Sequence, residues 1–136
     1  MRKLINLVEQ NPELPIFAMV NGDICHDYGM YWLGKITSAE VVYLGVVNER
    51  VYDEVEDFKE AYYNEHCEEL EEKFNYNPLC TDYAVEQGKY TKEQFLANCE
   101  AEKQLENYLA ERAKEYMRHA IVVYVNEPDA DDFKEV

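Results

Sequence analysis

Two runs of apolar residues predict strands near opposite ends of the chain. Residues 15–20 read Pro-Ile-Phe-Ala-Met-Val, and residues 120–125 read Ala-Ile-Val-Val-Tyr-Val. A continuous apolar run of this length fits a buried strand better than an amphipathic helix, whose apolar positions recur every three or four residues. We therefore predict a buried strand at 15–20, followed by a turn, and a strand in the middle of the sheet at 120–125.

The segment from 31 to 47 is rich in aromatic and β-branched residues, which favour extended backbone. Its pattern is interrupted at Thr37-Ser38, and this interruption predicts two antiparallel strands, at roughly 31–36 and 40–47. Asn48-Glu49 has the composition of a turn, so a further short strand is expected directly after it.

Two long helices are predicted in the second half of the chain. Residues 54–74 contain neither glycine nor proline, and Asp53 with Glu56 has the spacing of a capping box at a helix start. Thr91 with Gln94 repeats this spacing before a second helix that continues almost to the last strand. The apolar positions that recur along the second helix are Phe95, Cys99, Leu105, Leu109, Ala113 and Tyr116.

Shorter helical segments are predicted outside these two. Residues 2–10 fit a short helix that the pair Asn11-Pro12 ends, because a residue before proline is driven out of helical geometry. The connection at 75–89 contains turn-forming residues and room for a short turn of helix in its middle.

This order of elements indicates an α+β fold. The expected architecture is a small, mostly antiparallel sheet of four to five strands with two long helices packed on it. A chain of 136 residues fits one domain, which we place at 1–126. The polar and acidic residues 127–136 have the composition of a solvated C-terminal tail.

The chain is strongly acidic, with 29 acidic and 13 basic side chains and a net charge of −16. This charge repels nucleic-acid phosphates and anionic lipid headgroups, so direct nucleic-acid binding and membrane docking are disfavoured. It attracts basic surfaces, which include the nucleic-acid grooves of other proteins. A purely solubilising role for the acidity is the alternative.

The N-terminal apolar run ends at Glu9, before the core of a signal peptide would be complete. We therefore expect a cytosolic protein whose cysteines are reduced. No CxxC pair occurs among these cysteines, which are Cys25, Cys67, Cys80 and Cys99.

The acidic residues are concentrated in one segment. Residues 49–75 hold 11 acidic and 3 basic side chains, a net charge of −8, whereas residues 92–118 hold 6 acidic and 5 basic ones. Carboxylates three and four residues apart form a ridge on a helix, and a ridge of like charge resembles a phosphate strand. The candidate partner-binding residues on this ridge are Asp53, Glu54, Asp57, Glu65, Glu68, Glu69 and Glu72.

Two other interpretations of the ridge remain open. It is also what a simply solvated helix face looks like. A cation such as calcium is a further possibility, although the segment lacks the spacing and the glycine of an EF-hand loop.

No catalytic signature is present: GxGxxG, GxxxxGK[ST], HExxH and GxSxG motifs are all missing. Cys25-His26 and His66-Cys67 are adjacent Cys/His pairs, but their spacing is poor for a tetrahedral zinc site, and we predict no metal and no cofactor. A nucleophilic Cys25 with His26 or His119 as its base is the catalytic alternative. The aromatic cluster of Tyr28, Tyr31, Trp32 and Tyr43 fits either a small core or a ligand site.

The segments 15–20, Tyr31-Trp32-Leu33-Gly34 and 120–125 together resemble short acidic proteins of phages and conjugative elements of Gram-positive bacteria. This resemblance covers the sheet and implies a mobile-element setting. Small acidic proteins of that setting include anti-CRISPR and anti-restriction inhibitors, some of which mimic DNA and occupy the nucleic-acid groove of a host nuclease.

Charge and resemblance lead to one functional hypothesis and two alternatives. The hypothesis is a non-enzymatic, DNA-mimicking inhibitor that binds a basic nucleic-acid-binding defence protein, a nuclease or an effector complex, through the acidic ridge. The first alternative is a small-molecule-binding or modifying protein with a pocket near Cys25, His26, Tyr31 and Trp32. The second is a structural accessory protein of the mobile element that forms homo-oligomers.

Overall fold

The computed structural model describes residues 2–22 and 33–129, and these ranges contain five helices and four strands. The helices are α1 (Arg2–Gln10), α2 (Val55–Glu65), α3 (Cys67–Phe74), α4 (Asp82–Glu86) and α5 (Lys92–Tyr116). The strands are β1 (Ile16–Val20), β2 (Lys35–Val47), β3 (Arg50–Tyr52) and β4 (Arg118–Asn126). The predicted α+β class is confirmed, as are the helix at 2–10, the strand after Asn48-Glu49 and the helical turn within 75–89.

The four strands form a mixed sheet in the order β1-β4-β2-β3. β1 runs parallel to β4, with Ile16 opposite Ile121, and β2 runs antiparallel to β3, with Val47 opposite Arg50. β4 has a neighbour on each side, so its predicted place in the middle of the sheet is confirmed.

The predicted burial of β1 is wrong, because all five of its residues are exposed. Ile16 is 51% exposed and Val20 is 48% exposed. Side chains of a strand alternate between the two faces of a sheet, so the exposure of all five shows that neither face is covered at β1. Among the described strands, β1 also lies at the edge, because it neighbours β4 alone. An apolar run therefore identified the strand but not its position at the edge of the sheet.

The predicted division of the second apolar segment into two strands is also wrong. Residues 35–47 form one continuous strand, β2, through Thr37-Ser38. The hydroxyl of Thr37 donates to the backbone oxygen of Tyr124 at 3.3 Å and accepts from Asn126 Nδ2 at 2.8 Å. Because residues of β4 hydrogen-bond to the Thr37 hydroxyl, the strand does not have to end at this polar residue.

The chain divides into two compact units, which are residues 1–43 with 119–136 and residues 44–118. Among the described residues of the first unit, the buried core is formed by residues of β2 and β4, namely Ala39, Ala120, Ile121, Val122 and Val123. The single domain at 1–126 and the tail at 127–136 stay predictions.

The second unit contains the end of β2, β3 and helices α2 to α5. α2 and α3 both pack against α5. Leu70 of α3 and Leu105 and Leu109 of α5 form a buried cluster, and aromatic side chains pack around it. These are Tyr62, Tyr63, Phe74, Tyr76 and Tyr108.

The single helix predicted at 54–74 is wrong, because α2 and α3 are separated at His66. The backbone of His66 has φ −119° and ψ 21°, outside helical geometry. On one straight helix, Phe58 and Phe74 would point about 160° apart, because each residue advances the helix by about 100°. The break allows each helix to turn its own apolar side towards the rest of the unit.

The two capping predictions have opposite outcomes. The capping box at Thr91 and Gln94 is confirmed, since the Thr91 hydroxyl accepts from the Gln94 N–H at 3.1 Å and the Gln94 side chain accepts from the Thr91 N–H at 2.8 Å. The one at Asp53 and Glu56 is wrong. The backbone stays extended as far as Glu54, which is the N-cap of α2 and makes no side-chain cap hydrogen bond.

Candidate protein-binding surface

The seven predicted partner-binding carboxylates all lie among the described residues and are all exposed. We refer to them as the acidic face: Asp53, Glu54, Asp57, Glu65, Glu68, Glu69 and Glu72. None of them makes an ion pair or a side-chain hydrogen bond with another described residue. Their charges are therefore not neutralised within the described parts of the chain.

Two neighbouring acidic residues of the same helices, Glu56 and Glu71, differ from the acidic face in this respect. Glu56 lies 3.3 Å from Lys59 Nζ. Glu71 Oε1 accepts a hydrogen bond from the hydroxyl of Tyr63 at 2.7 Å. Burial, followed by this hydrogen bond to Glu71, raises the pKa of Tyr63 and so keeps the hydroxyl protonated as a donor.

Some carboxylates of α5 also form ion pairs with nearby basic side chains. Glu106 lies 2.9 Å from Lys59 Nζ across the α2–α5 contact. The hydrogen bond to Glu106 is the main factor that raises the pKa of Lys59. On α5 itself, Arg112 pairs with Glu115 at 2.7 Å and Lys114 with Glu111 at 3.5 Å. Three of the six carboxylates of α5 therefore have a described ion partner, whereas none of the acidic face has one.

The break at His66 corrects the predicted continuous ridge, because the acidic face is carried by two helices instead of one. Asp57 and Glu65 lie on α2, where helix geometry places them about 80° apart, and Glu68, Glu69 and Glu72 lie on α3 within an arc of about 100°. Asp53 and Glu54 precede the first turn of α2.

A groove lined by aromatic rings adjoins the acidic face in the second unit. Its cavity has a volume of about 410 Å³. The ring centroids of Tyr62 and His66 are 4.7 Å apart, and Tyr62 stacks on Tyr116 at 6.1 Å with an angle of 24° between the ring planes. Glu65 of the acidic face and Val46 of β2 also line the cavity. We call this cavity the aromatic groove.

Sequence reasoning did not find the aromatic groove. Tyr116 was placed among the apolar positions of the second helix, yet it is 45% exposed at the last turn of α5. Tyr62 and His66 are four residues apart, a spacing that brings side chains together on a helix, and this was the available signal. The contribution of Val46 from another element could not be read from spacing.

A second cavity of about 410 Å³ is lined by Asn77, Tyr90 and Asn98 among others. The side-chain amides of Asn77 and Asn98 are hydrogen-bonded within the protein. Asn98 accepts from the Asn77 N–H at 2.7 Å and donates to the Asn77 and Cys80 carbonyl oxygens at 2.9 and 3.3 Å. Asn77 Nδ2 donates to the Tyr90 hydroxyl at 3.0 Å. These bonds tie the connection after α3 to α5 and occupy the side-chain amides of Asn77 and Asn98.

The alternative small-molecule pocket cannot be placed, because Cys25, His26, Tyr31 and Trp32 lie outside the described residues. Of the aromatic cluster, Tyr43 is described and packs against His119, with ring centroids 5.0 Å apart. Across residues 2–22 and 33–129, no group of three or more His, Cys, Asp or Glu side chains is arranged to hold a metal ion.

Within the same ranges, every helix is too short or too polar to cross a membrane. A scan against protein-family models, a search of curated proteins and a search of solved structures returned no match to this chain. The geometry of the described residues therefore carries the functional proposal.

Proposed function

We propose that this protein is a non-enzymatic inhibitor that binds a basic, nucleic-acid-binding defence protein of the anti-CRISPR or anti-restriction target type. The acidic face is the proposed contact surface, and the cytosol of a bacterial host is the proposed location. One observation carries the proposal: the carboxylates of the acidic face are exposed and unpaired within the described chain, whereas those of Glu56, Glu71, Glu106, Glu111 and Glu115 have partners.

The proposed mechanism is replacement of phosphate groups. Lysine and arginine side chains that line a nucleic-acid groove would pair with the carboxylates of α2 and α3 instead of with a phosphate backbone. The inhibitor would then exclude nucleic acid by occupying the same surface. Because long-range attraction speeds such encounters, association should be fast at low salt and weaken as ionic strength rises.

The experiment is affinity capture of the tagged protein from a bacterial lysate at low and high salt, with the bound proteins identified by mass spectrometry. We expect a basic nucleic-acid-binding protein to be retained at low salt and released at high salt. The variant E65K/E68K/E72K should bind the captured protein at least about tenfold more weakly, because three favourable charge interactions become repulsive.

The matched control is E9K/E13K/E86K, which changes the net charge by the same amount at exposed carboxylates outside α2 and α3. Circular dichroism establishes that both variants are folded. Capture that survives E65K/E68K/E72K, or that falls equally in both variants, would count against a specific acidic face. An empty capture, or recovery of the protein itself alone, would favour the ligand-binding and structural alternatives.

A further inference from the structure

Two cations of the second unit lie over aromatic rings. Lys73 Nζ lies 4.2 Å from the centroid of the Tyr108 ring, and the guanidinium of Arg112 lies 5.0 Å from the same ring. Among the described residues, no cation lies over the rings of Tyr62, His66 or Tyr116. The aromatic groove therefore presents ring surface of the same kind without an internal cation over it.

The charged groups around the groove favour a positively charged occupant. Glu65, at its rim, is exposed and has no described partner. Arg112 acts electrostatically on Tyr62, but its charge is already engaged by stacking on Tyr108 and by the ion pair with Glu115. The carboxylate of Glu65 is thus the ionic group of the groove that remains to be paired.

We propose that the aromatic groove is the anchor site for one arginine side chain of the basic partner. The guanidinium stacks against the rings of Tyr62 and Tyr116 and pairs with Glu65. This inference rests on the proposed function, because it assigns a specific contact to the partner that the acidic face attracts.

Arginine fits the groove better than lysine for two reasons. Its planar guanidinium stacks on aromatic rings and at the same time presents donors in the plane to a carboxylate. Its aliphatic stem also needs apolar surface, and Val46, which is 52% exposed, provides this at the edge of the groove. A ring-lined cavity beside a charge is the usual setting of an interface hot spot.

The test is an NMR titration of the full chain with the peptide Ac-Gly-Arg-Gly-NH2. The control peptide is Ac-Gly-citrulline-Gly-NH2, which has nearly the same shape but no charge. We expect saturable shifts of the ring signals of Tyr62, His66 and Tyr116 with the arginine peptide, and at least about fivefold weaker binding of the citrulline peptide. Equal binding of both peptides, or shifts that do not localise to the groove, would overturn the proposal.

Variants of Tyr116 and Glu65 test the ring stacking and the ion pair of the proposed contact separately. Tyr116→Leu should weaken arginine binding by about fivefold, the fold-change that corresponds to about 1 kcal/mol of cation–π attraction, while Tyr116→Phe should retain it. Glu65→Gln should weaken the binding of the arginine peptide and leave the binding of the citrulline peptide unchanged. Failure of Tyr116→Leu to weaken binding would contradict a stacking role, provided its thermal unfolding matches that of Tyr116→Phe.

The two proposals fail separately because the peptide titration needs no natural target. If charge-dependent capture from the lysate is intact and the peptide does not bind, the arginine anchor is wrong and the acidic face stands. If the peptide binds in the groove and capture does not depend on the acidic face, the inhibitor function is wrong although the groove recognises arginine.

Discussion

Gly45 of β2 shows how closely the second unit is packed at the scale of a single residue. A Cβ atom at this position would lie 2.6 Å from Cδ2 of Phe58 and 2.9 Å from Cγ of Met117. Phe58 is itself almost completely buried, so its ring has little room to move. Glycine is therefore required here by space, and not by backbone conformation.

We expect Gly45→Ala to lower the free energy of unfolding by about 1–3 kcal/mol, the usual cost of overpacking a filled core. Urea unfolding followed by circular dichroism measures this. Gly22→Ala is the control, because nothing lies within 4 Å of a Cβ built there. Combining Gly45→Ala with Phe58→Leu should cost less than the sum of the two single changes; strict additivity would show that the contact with Phe58 is not the cause.

At the scale of elements, the hairpin formed by β2 and β3 depends on two residues with left-handed backbone. Val47 pairs with Arg50, so Asn48 and Glu49 form a two-residue loop, with φ values of 49° and 66°. Positive φ at both positions is the requirement of a type I′ turn, which matches the twist of the strands. Asparagine tolerates this conformation, whereas glutamate is strained in it.

Replacing Glu49 by glycine should therefore stabilise the second unit, by about 0.5–1 kcal/mol, because Asn-Gly is the preferred pair for this turn. The measurement is again urea unfolding. Glu49→Ala is the matched comparison, since it removes the same charge and keeps the strained backbone. Equal stabilisation by both substitutions would mean that charge, and not backbone strain, limits the hairpin.

At the scale of the whole molecule, the dominant feature is a net charge of −16. Unpaired carboxylates on α2 and α3 repel one another, and salt screens this repulsion over about 10 Å at about 0.1 M. Among residues 2–22 and 33–129 the buried residues are all apolar, and the carboxylate of each described ion pair is more than half exposed, so the opposing effect of salt on ion pairs is small.

The melting temperature should consequently rise with sodium chloride, by about 3 °C or more between about 0.02 and about 0.3 M, which corresponds to roughly 1 kcal/mol for a chain of this size. Differential scanning calorimetry provides the measurement. E65K/E68K/E72K changes the net charge from −16 to −10, because each substitution adds two positive charges, and its melting temperature should rise less with salt. A melting temperature that falls with salt would indicate that ion pairs outweigh the repulsion.

The sequence by itself determined the features that depend on near neighbours along the chain. The capping box at Thr91 needs a hydroxyl and an amide three residues apart, and the last strand needs only its own run of β-forming residues. The short helix α1 ends at Gln10, because the proline two residues later acts on the adjacent backbone. Such interactions are local, so their pattern is visible in one dimension.

The acidic face was also visible in the sequence as a list of residues, because the concentration of carboxylates is a property of composition. The sequence did not show that these carboxylates have no ion-pair partners, because that depends on where Lys59 and Lys73 lie in three dimensions. Lys59 reaches across to Glu106 of α5, and Lys73 stacks on Tyr108, so neither pairs with the acidic face.

Only the tertiary structure decided the features that depend on distant segments. Thr37 stays within one long strand because residues of β4 hydrogen-bond to its hydroxyl, and the side chains of β1 are exposed because neither face of the sheet is covered at this strand. α2 and α3 are separated at His66 because the apolar residues of this segment would point in different directions on one straight helix. With the break, each helix turns its own apolar side towards the rest of the second unit. The aromatic groove exists for the same reason: residues of three separate elements meet there through packing, which no local pattern records.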